Sequence, residues 1–120
     1  MRLIHLPLAA ALLLSFAELA RASDADFTLK NKTGYQIDEV YVSPHSSRNW
    51  GHDHMGSDAL ADGDSVDINF AHGGQACRFD IQVKYNDGDK AEWGDVDLCK
   101  YTAISLFWNA KTQTTRAVGE

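Results

Sequence analysis

Cys77, Phe79, Ile81, Val83 and Tyr85 take every second position of one run, with Arg78, Asp80, Gln82 and Lys84 between them. Side chains alternate faces along a strand, so this spacing predicts a strand buried on one side and wet on the other. Asn86-Asp87-Gly88-Asp89 follows, a hairpin turn signal, and a return strand begins near Lys90 and carries Trp93. Gly94 lets that strand change phase, so that Val96 and Leu98 face alike. Val66-Asp67-Ile68-Asn69-Phe70 alternates in the same way. Thr102 to Trp108 is the most apolar stretch, with Ile104, Leu106 and Trp108 on one side and Phe107 on the other, and is expected to be central.

The N-terminal half repeats the pattern less cleanly. Phe27-Thr28-Leu29 starts a strand that runs into the polar stretch Asn31-Lys32-Thr33-Gly34, where Gly34 marks a turn. From Tyr35 to Ser43, Tyr35 and Ile37 share one phase while Val40 and Val42 take the other. A β-bulge near Asp38-Glu39 would produce that switch, because one extra residue re-aims everything after it. Continuation of the first face through Tyr41, with both faces partly covered, is the alternative. Pro44 ends the strand, and residues 44–63 form a long irregular loop in which Ser57 to Leu60 could make one helical turn. Lys111 to Val118 adds an edge strand or stays loose. Six or seven short strands without a helical period predict an all-β fold. A small antiparallel sandwich is favoured over a small barrel, because long loops and one very apolar strand suit two packed sheets.

The first residues have a different logic. Met1-Arg2, an apolar run from Leu3 to Ala17, and Ala20-Arg21-Ala22 make the three parts of a secretory signal. Cleavage is expected between Ala22 and Ser23, with Ala17 as the weaker position. Residues 23–120 then form one domain, and the stretch broken by Pro7 and Glu18 is too short for an anchor of about 20 apolar residues. Loss of Arg2, Arg21 and Glu18 leaves nine basic and sixteen acidic residues, a charge of −7 with histidine neutral. That sign disfavours nucleic acid and anionic membrane surfaces as partners and favours solubility or a cationic partner. A periplasmic or secreted address is oxidising, so the two cysteines, Cys77 and Cys99, are expected to form one disulfide.

Read in order, Asn31-Lys32-Thr33-Gly34-Tyr35, Val40-Tyr41-Val42-Ser43-Pro44, Trp50-Gly51, Leu60 with Gly63, Cys77-Arg78-Phe79-Asp80-Ile81, Asp87-Gly88, Trp93 and Leu98-Cys99 form a connected pattern. It resembles a group of small secreted bacterial domains of unassigned function, over nearly all of residues 26–107. The resemblance implies a β-rich exported domain and confers no activity. Acidic residues are more usual after Trp-Gly in that pattern than the His52-Asp53-His54 found here.

Candidate chemistry is concentrated in and beside the long loop. His45, His52, His54 and His72 are all the histidines after the leader, and Asp53 and Met55 lie among them. Imidazole, carboxylate and thioether together suit copper or zinc, whereas the plainer and favoured reading is of solvated loop side chains. Arg48, Asn49 and Trp50 are candidate partner-binding residues, since exposed Trp and Arg anchor interfaces. The other reading of Trp50 is that it tucks over one end of the sandwich. Trp93 and Trp108 are assigned to the core. Asp62-Gly63-Asp64, Asp87-Gly88-Asp89 and the Asp95/Asp97 pair read as turns and not as calcium loops. No nucleophile elbow surrounds Ser43, Ser46, Ser47 or Ser57, so the chain is not read as an enzyme. The sequence thus points to an exported binding or structural accessory domain for an unknown protein or small ligand. A periplasmic Cu/Zn protein and an inhibitor of a secreted enzyme are the alternatives.

Overall fold

The alternation read along the chain becomes seven strands in a computed structural model that describes residues 24–70 and 76–120. The leader and His72 lie outside the described residues. In chain order the strands are β1 (Phe27–Lys32), β2 (Ile37–Pro44), β3 (Ser65–Ile68), β4 (Arg78–Tyr85), β5 (Lys90–Asp97), β6 (Ala103–Asn109) and β7 (Thr114–Gly119). They form a four-stranded sheet ordered β3-β1-β6-β7 and a three-stranded sheet ordered β2-β4-β5. Neither closes into a barrel. Phe27, Leu29, Ile68, Ile104 and Leu106 of the first sheet meet Val40, Val42, Phe79, Ile81 and Val83 of the second in one buried cluster. The fold is therefore a sandwich, and β6 is central to its sheet as its apolar run predicts.

Both phase changes have the predicted cause. The β2–β4 register slips between Ile37 and Glu39, turning Val40 and Val42 inward beside Ile37. The β4–β5 register slips between Phe79 and Ile81, opposite Gly94 and Asp95, where Asp95 takes φ +55°. Each bulge restores an apolar residue to the core face. The chain beyond Lys111 becomes the edge strand β7, antiparallel to β6.

Three features differ from expectation. The pairing of β1 with β6 is parallel, Leu29 opposite Ile104, because β6 returns to the first sheet after the β4–β5 hairpin. The long loop is not free-standing: Leu60 bridges Ile37, and the His54 amide donates to the Val40 carbonyl at 2.8 Å. It thereby covers the edge of β2, which would otherwise present unpaired backbone groups. No helical turn forms at Ser57. The turn comes earlier, with Gly56 donating to Asp53 and Asp58 to Met55.

Asn31 takes the inward position on β1 that an apolar side chain would fill, and it is 1% exposed. Its amide donates to the carbonyls of Tyr35 (2.8 Å) and Leu60 (2.9 Å). Its carbonyl accepts from the Thr33 amide (3.1 Å) and hydroxyl (2.6 Å). All four hydrogen-bonding positions are used, as burial demands. One side chain thus ties the β1–β2 turn to the end of the long loop.

Candidate functional site

The loop carrying His52-Asp53-His54-Met55 is organised by Asp53. Its Oδ1 accepts from the amides of Val40 (2.8 Å) and Met55 (2.9 Å), so this carboxylate binds loop to strand. Met55 is 8% exposed and belongs to the core cluster. The rings of His52 and His54 lie 4.3 Å apart, and His54 meets Phe70 edge-on at 6.4 Å. His45 is elsewhere: its Nδ1 lies 2.8 Å from Asp80 Oδ1. Of the five predicted metal ligands among the described residues, the structure therefore brings two imidazoles together, His52 and His54. Among the described residues, the group of three potential ligand residues close enough for one ion is Cys77, Asp97 and Cys99. Its cysteines are joined in a disulfide, so the thiolates a metal needs are not available.

Arg48 and Asn49 are exposed, as an interface reading requires. Trp50 is half-buried and rests against Tyr41, ring centroids 6.4 Å apart, on β2 and not over an end of the sandwich. The Tyr41 hydroxyl donates to Glu39, which pushes the phenol up to about 12. The acidic turns do backbone work. Asp62 accepts from the Gly34 amide, Asp87 from Asp89, and Asp97 from Cys99.

The two described histidines with defined environments are pushed in opposite directions. The hydrogen bond to Asp80 raises His45 above 6.5, and desolvation lowers His54 below 6.5, reinforced by the neighbouring His52. His45 thus contributes stability when protonated, present below 6.5 and lost as pH rises through its raised value. His54 contributes when neutral, present above 6.5 and lost as pH falls through its lowered value. Titration of the ring protons by NMR should place the His45 midpoint above that of His54. The reverse order would mean that the loop does not sit on β2 as described.

A different cluster, absent from the sequence reading, occupies the end of the sandwich opposite the disulfide. Tyr35 follows Gly34, which takes φ +86° in the β1–β2 turn, and is 52% exposed. Tyr85 ends β4 and reaches across the gap between the sheets to the Thr115 hydroxyl on β7, 2.5 Å away. Trp108 stands opposite Thr115 on β6, half-buried and outside the core cluster. Assignment of Trp108 to the core fails because its inward neighbours are the two tyrosines; Leu106 is the last aliphatic core position on that strand. Trp93 does pack against the core. The three rings meet pairwise at 5.9–6.3 Å and 77–85°. With Asn86, Asp87 and Asp89 of the β4–β5 turn they line a cavity of about 150 Å³. A cleft of about 320 Å³ adjoins it, sharing Tyr85, Asp89 and Trp108 and adding Lys90 and Glu92. The only sequence signal was three aromatics each close to a turn or strand end, which strand alternation assigns to packing.

No family model and no curated protein matches the chain. A solved NMR structure of a protein from Eubacterium rectale is similar in fold, with a TM-score of 0.54 at 17% identity. The likeness covers 78% of this chain and 85% of that one.

Proposed function

We propose that this chain acts outside the cytoplasm as a non-enzymatic binding domain. Its disulfide fits an oxidising compartment, as does the signal-like start of the sequence. Among the described residues no helix is long and apolar enough to cross a membrane. The observation that carries the reading is the aromatic end. Tyr35, Tyr85 and Trp108 line one cavity, with Tyr85 the last core residue of β4 and Trp108 outside the core, and they are mounted on strand ends and tight turns. Binding sites are concave, mostly apolar and edged by a few polar groups, and rigid sheets position them well.

An NMR titration of the oxidised protein tests this with a panel of organic cations, neutral sugars, organic anions and zinc. At least one organic ligand should shift the Trp108 indole and the Tyr35 and Asp87 amides saturably. If no organic ligand moves them, the reading fails. A second reading, a copper or zinc protein using His52 and His54, is favoured by the 4.3 Å approach of their rings. The zinc arm addresses it, because saturable shifts confined to residues 52–55 would select it. Two imidazoles alone hold a metal weakly, so this reading requires a third ligand.

A further inference from the structure

Resting on that reading, we propose that the aromatic end binds a methylated ammonium group, the head of a quaternary amine or of a methylated lysine side chain. Shape comes first. Three rings at steep angles to one another line one small cavity, so a group placed there meets more than one π-system. A cation within about 6 Å of an aromatic face is attracted by the ring quadrupole, and Trp and Tyr do this better than Phe. The cavity, about 150 Å³, is of a size that holds a benzene-sized group.

Charge selects a cation. The lining contains the carboxylates Asp87 and Asp89 and no basic side chain. The whole chain carries −6 at pH 7, which draws cations toward it. Lys90 stands in the adjoining cleft, where Glu92 accompanies it.

The aromatic walls favour methylation. A primary ammonium brings three donors that require acceptors. The Tyr85 hydroxyl is engaged with Thr115, so the aromatic walls themselves offer π-faces, and acceptors come from Asp87 and Asp89. A trimethylammonium group has no donors and spreads its charge over methyls that can lie against ring faces. It loses little hydration on entry and gains the same attraction.

The walls are also held in place before any ligand arrives. The Tyr35 carbonyl accepts from the Asn31 side-chain amide, and the Asn86 amide donates to the Gln36 carbonyl at 3.1 Å, joining the two turns. An exposed tyrosine on so constrained a backbone loses little freedom on binding, which is the advantage of preorganisation.

The test is an NMR titration with choline, with its neutral carbon isostere and with a short peptide carrying trimethyllysine. Choline or the peptide should shift the Trp108 indole saturably, and whichever binds identifies the source of the cation. The neutral isostere should bind at least tenfold more weakly. Tyr35→Leu keeps apolar bulk, removes a π-face and changes an exposed residue, so the fold should persist while affinity drops at least fivefold. Asp87→Asn/Asp89→Asn keeps the turn acceptor and should weaken binding several-fold while reducing its salt dependence. Equal binding of cation and isostere, or none by either cation, overturns the proposal. A sugar that shifts the same residues while both cations fail overturns it too, yet leaves the broader binding function standing.

Discussion

Asn31→Asp should destabilise the domain by about 3–5 kcal/mol at pH 7, although it changes no volume. That is the scale of an uncompensated buried charge. The Nδ2 of Asn31 donates to the carbonyls of both Tyr35 and Leu60, and a carboxylate would turn one oxygen toward the pair. Burial and the two carbonyls disfavour ionisation, so the new carboxyl is raised above its unfolded value. The loss is therefore full at neutral pH and shrinks as pH falls and the carboxyl protonates, recovering one donor. Urea unfolding at pH 7 and pH 4 measures both quantities. A variant within half a kcal/mol of the parent at pH 7 would show that the network is dispensable.

Cys99→Ser should cost about 2–5 kcal/mol, a large fraction of the 5–15 kcal/mol typical of a domain. The disulfide joins residues 22 apart in sequence with Cα atoms 5.2 Å apart, just outside the ends of β4 and β5. Arg78 pairs with Asp97, and the Leu98 amide donates to the Cys77 carbonyl at 2.9 Å, so the hairpin keeps its backbone bonds without the link. The effect acts chiefly through the unfolded chain, whose freedom the cross-link limits. Cys77→Ser should match it, and both variants should keep a β spectrum. A loss well under 1 kcal/mol in urea would mean that the link adds little beyond the pairing around it.

Legibility followed the physics of each signal. Alternation over Cys77–Tyr85 and the apolar run of Ile104, Leu106 and Trp108 needed only the two-residue period of a strand, and they placed β4 and β6 correctly. The bulges at Glu39 and beside Gly94 were visible as phase errors in that same period. Strand partners were another matter. Nothing local in Thr28–Lys32 states that it will lie parallel to Ala103–Phe107, because that choice is made by the whole topology. The aromatic end was missed for a related reason. Alternation puts Trp108 on the inward face of β6, but only the length of the opposing sheet decides whether an inward face is also a covered one. In and beside the loop, residue type suggested six ligands, five of them among the described residues. Hydrogen bonding commits Asp53 to backbone amides, packing places Met55 in the core, and His45 pairs with Asp80.

The parallel contact of β1 with β6 also has a kinetic meaning. Leu29 and Ile104 are neighbours in the sheet, yet nearly the whole domain lies between them in sequence. Pairings this distant must close a long loop before they are rewarded, which places such folds in the millisecond-to-second range. The β4–β5 hairpin can form early from local contacts, but β1 has no place in its sheet except between β3 and β6. Until the residues of β6 emerge, the first sheet has only its β3–β1 pair and lacks the strand that joins β1 to β7. A polypeptide built in this order cannot complete its first sheet until nearly all of the domain has been synthesised.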